Sequence, residues 1–354
     1  MKIALIGDPH FANRGVFGYP TETKGVNSRL QWIQKTMNHI LDEIEDQDDI
    51  DQIVIMGDIT HYHGRLTPPV GKAIRGALER LTTPTYILTG NHDIDENNVS
   101  ILDSFDWGSP NINFVTQGLQ LSGLYFFPYS ERSWEKASKP IESLGDMLEW
   151  SKAKYIFMHH HFNGAVHAEC EFVPPNGLPL DVIPEGARVI CGHYHMQQTL
   201  ERDGKTVVNY VGVPLQHDFG ETGYPTGYSI LDTDTDEIEF VPVDVAPKFY
   251  KIEVTDETKL EDIPGRHELD YYRLDIPLGE IPNNFEELTS GLAKTKIKRL
   301  KVDIRLRSRV EEVLPGIENL TVPDVLEAFV ILNTEEGARR DHLHKLGIEL
   351  LGGE

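Results

Sequence analysis

Residues 53–61 read IVIMGDITH, and this stretch decides the fold class. Its four large apolar residues are typical of a buried strand. Gly57 ends the run, and the polar residues Asp58 and His61 follow. A buried strand that ends in ligand-type side chains is the pattern of an α/β sheet, whose functional groups lie beyond the carboxyl ends of its strands.

The same pattern recurs in four other segments. They are IALIGDPH (3–10), YILTGNHD (86–93), YIFMHHH (155–161) and VICGHYH (189–195). Each motif alone is weak, but five in this order, each after a strand, are hard to obtain by chance. Because the carboxyl ends of parallel strands meet, we expect all five polar segments to converge at one sheet edge.

Helical patterns separate these apolar runs. Apolar residues at helical spacing from Leu30 to Ile44 predict a helix capped by Asn27 or Ser28, and Val70 to Leu81 predict another. The alternation of strands and helices predicts an α/β sheet covered on both faces.

The polar residues at the strand ends are of the types that bind divalent metal ions. Imidazole together with carboxylate favours manganese, iron or zinc over magnesium. One aspartate can bridge two ions about 3.5–4 Å apart. The D-x-H and H-x-H spacings put both side chains on one side of an extended segment, since alternate residues face alike. The sequence therefore predicts a site for two divalent ions.

In this order, the motifs GDPH, GD, GNHD, a strand-terminal His and GHYH resemble the calcineurin-like metallophosphoesterase superfamily. The resemblance implies a four-layer α/β fold, in which two mixed β-sheets are flanked by helices. It also implies a small α+β capping domain, C-terminal helices, and two bound divalent ions, for which Mn²⁺ is the leading candidate.

The resemblance also assigns roles to individual residues. The expected ligands are Asp8, His10 and His195 for one ion, Asn91, His159 and His193 for the other, and Asp58 as the bridge between them. Among the three consecutive histidines, the position directly after the strand favours His159, and His160 is the alternative. His92 would face the phosphate, where it would stabilise the oxyanion or protonate the leaving oxygen. Asp93 is expected to be a local loop acceptor.

Two features resemble the nuclease branch of this superfamily, SbcD and the recombination endonucleases of tailed phages. The GDITH motif lacks the Asp-Arg-Gly of the protein-phosphatase branch and carries His61, a second catalytic candidate that would position the DNA backbone. A loop histidine is the alternative for His61. Residues 209–232, NYVGVPLQHDFGETGYPTGYSILD, are similar to a nuclease segment beside the site, with a generic hairpin as the alternative.

The resemblance and a change of texture near Pro247 divide the chain into three parts. Residues 1–247 would form the metallophosphoesterase nuclease domain. Residues 248–310 would form a capping, DNA-binding domain, and residues 311–354 a helical segment that binds an ATPase partner.

A basic stretch lies within the second part. Eight lysines and arginines fall between residues 294 and 309. On a strand, Arg305, Arg307 and Arg309 would share one face and could track DNA phosphates. The alternative is the solvated face of a charge-protected edge strand.

Composition limits these interpretations. The 33 basic and 57 acidic residues give a net charge of −24, which opposes nonspecific DNA binding over the whole surface. DNA contact would then need a basic patch, bound metal ions or a partner. The chain has two cysteines and no apolar run approaching a membrane span, so we expect a cytoplasmic protein with no membrane partner.

The leading hypothesis is a two-metal DNA nuclease, an exonuclease on double-stranded and an endonuclease on single-stranded DNA. The resemblance implies a partner, an SbcC-like SMC-type ATPase, and a homodimer. The stripes from Leu30 to Ile44 and Val70 to Leu81 would supply the dimer contact or would simply cover a sheet. A phosphodiesterase acting on small molecules or cyclic nucleotides is the alternative enzyme, and a non-catalytic scaffold is the third hypothesis.

Overall fold

The computed structural model describes residues 1–13, 17–104, 109–129, 152–166, 177–265, 269–276, 282–294 and 299–304. Its strands are β1 (Lys2–Ile6), β2 (Gln52–Ile55), β3 (Thr85–Leu88), β4 (Ile112–Val115), β5 (Leu119–Leu121), β6 (Leu124–Phe127), β7 (Tyr155–His159), β8 (Arg188–Gly192), β9 (Gln198–Arg202), β10 (Lys205–Tyr210), β11 (Gly227–Asp232), β12 (Glu237–Pro242), β13 (Phe249–Glu253), β14 (Tyr271–Ile276) and β15 (Arg299–Ile304). Its α-helices are α1 (Ser28–Glu45), α2 (Pro68–Leu78) and α3 (Phe285–Lys294).

Two six-stranded sheets dominate the described residues. The first has the order β12-β11-β1-β2-β3-β4, with β1 to β4 parallel and β11 and β12 antiparallel to their neighbours. The second has the order β5-β6-β7-β8-β10-β9, with β6, β7, β8 and β10 parallel and antiparallel strands at both edges. The predicted α/β fold with two mixed sheets and flanking helices is confirmed.

The two sheets share an apolar core. Ile3 and Leu5 of β1 belong to the same buried cluster as Phe126, Phe157 and Ile190 of the second sheet. The intervening residues of β1 belong to a different cluster, which they form with α1 and α2. This alternation is the period of two expected for a strand that is buried on both faces. It leaves the polar segments after the strands at the rim of the sheets.

Helices α1 and α2 cover the outer face of the first sheet. The Asn27 side chain accepts a hydrogen bond from the Leu30 amide over 3.0 Å, so Asn27 is the cap of α1. Helix α2 begins with Pro68, whose missing amide hydrogen costs nothing in the first turn. The apolar stripes of both helices are buried against the sheet. Of the two roles considered for these stripes, sheet cover is the one observed.

The chain divides into two compact units after Phe249. In the described part of the second unit, β13, β14 and β15 form a sheet in which β14 and β15 are parallel. Val254, Tyr272 and Leu288 are fully or almost fully buried in its core. The predicted division into three domains stays a prediction, because residues 305–354 lie outside the described residues.

Helices long and apolar enough to span a membrane are absent from the described part of the chain.

Candidate metal centre

The predicted ligands meet where the carboxyl ends of both sheets come together. Asp8, Asp58 and Asn91 follow β1, β2 and β3 of the first sheet. His159 is the last residue of β7, and His193 directly follows β8, both in the second sheet. The expectation of a single sheet edge is wrong, because the chain crosses to the second sheet after β4. The two sheets instead share one polar rim.

Three predicted site residues adopt left-handed backbone conformations. The angle φ is 47° at His10, 49° at Asp58 and 84° at His193. Such angles are uncommon outside glycine, and here they turn the chain sharply where strands end. The expectation of extended D-x-H and H-x-H segments is therefore wrong at His10 and His193. The first turn is fixed by the His10 amide, which donates to the Asp58 carbonyl over 2.9 Å.

Two glycines permit close packing around Asp58. A Cβ atom on Gly57 would lie 2.4 Å from His159 Nδ1, and one on Gly90 would lie 2.2 Å from Asp58 Oδ1. Neither position has room for a side chain. Glycine is therefore required in both GD and GNHD, because the side chains of predicted ligands pack directly against the backbone there.

One group of ligand atoms surrounds His10. Its Nε2 lies 3.1 Å from His195 Nε2 and 3.4 Å from Asp58 Oδ2. The Glu221 carboxylate can only accept, so His195 Nδ1 donates to it. In the neutral ring, the lone pair of His195 then lies on Nε2, on the side of His10. Two ring nitrogens this close need a proton or a cation between them.

A second group surrounds the amide oxygen of Asn91, which lies 3.0 Å from His159 Nε2 and 2.9 Å from His193 Nδ1. His159 Nδ1 donates to the Met56 carbonyl over 2.7 Å, so the neutral ring offers its Nε2 lone pair. Asp58 Oδ1 lies 3.5 Å from that same Nε2. Because Asp58 directs one oxygen toward each group, its carboxylate has the arrangement that a bridging ligand needs.

Asp8 is fully buried beside both groups. Its two carboxylate oxygens each lie 3.1 Å from the His193 backbone amide, and Oδ1 lies 3.3 Å from His159 Nδ1. Burial raises the pKa of Asp8 to about 6; Asp58 adds to the rise, while His159 opposes it. An ionised carboxylate that is this costly to bury gains stability from a neighbouring cation.

Two histidines of the second sheet have raised pKa values. Burial works against protonation of His159, but the Asp58 and Asp8 carboxylates outweigh it and raise the pKa to about 9. Burial likewise opposes protonation of His195, and Glu221 raises its pKa to about 9. Burial would raise the pKa of Asp58, yet His159 holds it below the usual value. Protons on these two imidazoles thus balance the negative charge of the buried carboxylates. Bound divalent cations would balance the same charge.

The other two histidines of the predicted ligand set prefer the neutral form. Burial holds the pKa of His10 well below its usual value, and His217 and His195 add to the effect. Burial and His159 do the same for the pKa of His193. Metal ions bind neutral imidazole, so these side chains are ready to act as ligands.

The donor set fits divalent metal ions. Ligand atoms lie within 4.8 Å of one another in two groups, Asp8 with Asp58 and His159, and His10 with His61 and His92. Carboxylate and imidazole together suit manganese, iron and zinc. The facing lone pairs of the ring nitrogens would be satisfied by the same ions.

His92 borders the donor set. Its backbone amide donates to Asp58 Oδ1 over 2.8 Å, and its Nδ1 donates to the His61 carbonyl over 2.8 Å. Its Nε2 is therefore the ring nitrogen left for a substrate. The ring of His63 stacks on it, with centroids 4.2 Å apart. Burial lowers the pKa of His92, although Asp58 opposes this.

His61 reaches the site through the predicted ligand His10. Its Nδ1 lies 3.3 Å from His10 Nδ1, and its ring stacks on that of His92 with centroids 5.3 Å apart. His61 thus stands beside both a predicted ligand and the predicted proton donor. Its catalytic role stays a prediction.

Asp93 joins two of the loops. Its carboxylate accepts hydrogen bonds from the amides of Ile59, Thr60 and Gly90. Burial, together with Asp58, raises the pKa of Asp93 to about 7. Its contacts extend beyond its own loop, because they tie the GD motif to GNHD.

His159 is the member of the histidine triplet that contacts other predicted ligands, namely Asn91, Asp58 and Asp8. The carbonyl of the neighbouring His160 accepts from Tyr210 Oη and from Cys191 Sγ over 3.1 Å, and burial lowers the pKa of His160 to about 3. The ring of His161 packs edge-on against Tyr194. This placement supports the choice of His159 over His160, which stays a prediction.

The sequence interpretation missed Arg29, His217 and Glu221. Glu221 accepts one hydrogen bond from the His195 imidazole and another, over 2.7 Å, from the His217 backbone amide. Arg29 donates to His217 Nδ1 over 2.7 Å, which leaves His217 Nε2 to donate to the Asp8 carbonyl over 3.1 Å. The sequence did offer one sign of His217 and Glu221. Both follow the parallel strand β10, and functional groups are expected beyond the carboxyl ends of such strands. The segment after β10 belongs to the site, so the alternative of a generic hairpin is wrong.

The predicted DNA-binding residues Arg305, Arg307 and Arg309 lie outside the described residues, which end with β15 at Ile304.

Comparison with protein families and relatives gives a consistent answer. The profile of the calcineurin-like phosphoesterase family matches residues 1–197. The phosphoesterase-like protein 244L of Invertebrate iridescent virus 6 is 30% identical over 233 residues, which cover 62% of this chain and 72% of that protein. Its counterpart 078R of Invertebrate iridescent virus 3 is 25% identical over 237 residues, 63% of this chain and 60% of that protein.

More distant similarities extend to a nuclease and to a solved structure. The SbcD subunit of the nuclease SbcCD from Staphylococcus saprophyticus is 23% identical over 222 residues, 54% of this chain and 58% of that protein. A solved structure described as a novel archaeal phosphodiesterase is 14% identical and covers 69% of this chain and 100% of its own, with a TM-score of 0.35. That score is too low to establish a shared fold.

Proposed function

Because this chain belongs to the calcineurin-like phosphoesterase family, we propose that it uses two divalent metal ions to hydrolyse the phosphodiester backbone of DNA. Family membership makes the protein a hydrolase of phosphate esters, and the fold of the family implies divalent ions. The choice of DNA, of a diester bond and of manganese is the proposal.

The observation that carries the two-metal part is the position of Asp58 between two ligand groups. Its Oδ2 lies 3.4 Å from His10 Nε2, and its Oδ1 lies 3.5 Å from His159 Nε2. The expected ligands of one ion are His10, His195 and Asp8, and those of the other are Asn91, His159 and His193. Asp8 lies nearest to Asp58 and His159 in the structure, so its assignment to the first ion stays a prediction. A carboxylate that faces two such groups supports a metal pair rather than a single ion.

Three observations support DNA as the substrate. The GDITH motif lacks the Arg-Gly of the phosphatase branch. The segment after β10, which resembles a nuclease segment, contacts Asp8 and His195 through His217 and Glu221. The staphylococcal relative is named as a nuclease subunit. The net charge of −24 is the opposing observation, and it requires that DNA contact be local.

When bound, the two ions supply Lewis-acid charge and activate a water molecule for attack on phosphorus. Asp8 and Asp58, which accept hydrogen bonds from the His193 and His92 backbone amides, would hold oxygens toward the ions. Asn91 would add its amide oxygen. His92 has the proton-transfer role: with Nδ1–H engaged by the His61 carbonyl, a second proton must reside on Nε2 before it can pass to the leaving oxygen. A pKa lowered by burial makes that proton easier to release.

The assembly belongs to the same proposal. Residues 248–310 would cap the DNA, with Arg305, Arg307 and Arg309 tracking phosphates. Residues 311–354 would bind an SbcC-like SMC-type ATPase, and the active form would be a homodimer. Loss of ATPase capture after truncation of residues 311–354 would support the partner assignment.

The central experiment offers three substrates to the full chain with Mn²⁺. They are linear double-stranded DNA, circular single-stranded DNA and bis-p-nitrophenyl phosphate. Cleavage of both DNAs is expected. Hydrolysis of the small ester without DNA cleavage would instead favour a small-molecule or cyclic-nucleotide phosphodiesterase, and no turnover despite two bound ions would favour a non-catalytic scaffold.

A further inference from the structure

We propose that Glu221 is a positioning residue that holds His195 in the tautomer and orientation needed to bind the first metal ion. The inference deepens the proposed function and rests on it only in that His195 is a metal ligand. It concerns the loop after β10, whose polar residues have no role in the ligand set.

The Glu221 carboxylate is fixed at both oxygens. Oε1 accepts from His195 Nδ1, and Oε2 accepts from the His217 backbone amide over 2.7 Å. The residue is only 5% exposed, so water competes little for either oxygen. A buried carboxylate with two such bonds has one orientation, and the imidazole that donates to it has one tautomer.

The same loop also holds Asp8, a second predicted ligand of that ion. Arginine can only donate, so Arg29 places its hydrogen on the lone pair of His217 Nδ1. His217 is therefore the tautomer protonated at Nε2, and it donates to the Asp8 carbonyl. Through Glu221 and His217, one loop connects ligands that belong to opposite sheets.

A carboxylate behind a ligating imidazole has two effects on metal binding. It orients the ring, and its negative charge makes the ligating nitrogen more basic. Removal of such a partner typically weakens metal affinity by about 10–100-fold. We expect the loss at the ion held by Asp8, His10 and His195, because Glu221 does not contact the Asn91 group.

The test is titration of the full chain with MnCl₂, followed by calorimetry and by electron paramagnetic resonance. Wild-type protein is expected to bind two ions and to give an exchange-coupled dinuclear signal. Glu221→Gln nearly preserves shape but removes the charge, and Glu221→Ala removes the contact. Both variants are expected to bind one ion as tightly as wild type and the other about 10–100-fold more weakly, with a mononuclear signal at intermediate Mn²⁺.

Glu237→Gln, an exposed glutamate at the start of β12, is the matched control and should bind as wild type does. Two tight ions in both Glu221 variants would overturn the proposal, as would a wild-type chain that binds fewer than two. If Glu221→Ala fails to fold, the near-isosteric Gln variant decides alone. Since Mn²⁺ binding is measured without DNA, failure to cleave DNA would refute the proposed function and leave this inference standing.

Discussion

The two sheets contribute different chemistry to the shared rim. The first sheet supplies every oxygen donor of the predicted set, Asp8, Asp58 and Asn91, on loops with strained turns and close backbone contacts. The second sheet supplies imidazoles, His159 and His195 among them, each held by a hydrogen bond from its Nδ1 atom. The backbone turns and contacts mainly position the oxygen donors. Each of these two imidazoles is instead oriented by the hydrogen bond that its Nδ1 atom donates.

This contrast indicates how substitutions should act. Replacement of Asp58 on the first-sheet side alters the carboxylate that faces both ligand groups, so its effect should reach both ions. A change on the second-sheet side removes one ligand or its partner, so its effect should be confined to one ion.

Replacement of Asp58 by Asn should affect both ions. The substitution removes the charge that faces both ligand groups, and kcat/KM on bis-p-nitrophenyl phosphate should fall by about 10³-fold or more, since metal charge is worth several kcal/mol in the transition state. Metal content by mass spectrometry should fall below one ion per chain. The exposed Asp48→Asn is the control. Retention of two tight ions would contradict the bridging role.

His92→Ala should separate catalysis from metal binding. His92 contacts Asp58 through its backbone amide, which the substitution keeps, so both ions should remain bound. Loss of the Nε2 proton should lower kcat by about 10²–10⁴-fold. Elemental analysis that shows a missing ion would refute this division of roles.

His159→Ala and His161→Ala should behave differently although they are two residues apart. His159 touches Asn91 and Asp58, so its loss should weaken one ion and leave the other. His161 packs against Tyr194, and its replacement should leave both ions bound. Mn²⁺ titration of the two variants is the measurement. Equal metal affinities in both variants would show that the ligand is misassigned.

The imidazoles of the second sheet should make stability depend on pH. His159 and His195 have folded pKa values of about 9, above the unfolded value. Their contribution is therefore complete below pH 6.5 and is lost as the pH rises through 9, a loss on the order of several kcal/mol. Thermal unfolding in EDTA from pH 6.5 to 9 should show this fall. Excess Mn²⁺ should remove the fall, because ions displace those protons.

The smallest effect concerns the second unit. Reversal of Arg305, Arg307 and Arg309 to Glu should weaken DNA binding and lower the slope of log affinity against log salt by about 3. Catalysis on the small ester should not change, since all the predicted ligands belong to the first unit. A matched reversal of Lys24, Lys72 and Lys205, which are exposed on the first unit, is the control. Unchanged DNA binding across a salt titration would remove these arginines from the proposal.

Local sequence patterns predicted the elements well. The apolar runs before GDPH, GD, GNHD and GHYH are strands, and Asn27 caps α1 as one of the two candidates. These features depend on burial and on short-range hydrogen bonds, which a single sequence displays. The convergence of the ligands was predictable for the same reason, since strand ends locate them.

Other features could not be read locally. The partner of His195 lies 26 residues away on the loop after β10, and Arg29 lies 188 residues from His217. Such contacts depend on how the second sheet packs on the first. The left-handed backbone at His10 and His193 was missed because a D-x-H spacing looks the same in a strand and in a tight turn.

The hydrogen bond from His159 to the Met56 carbonyl crosses from one sheet to the other. Two ions bound around Asp58 would lie at the same junction and would act as cross-links between the halves of the sandwich. Any force that slides one half along the other would then separate ligands before it exposes the apolar core. Mechanical or thermal disturbance of this molecule should abolish hydrolysis before the fold is lost.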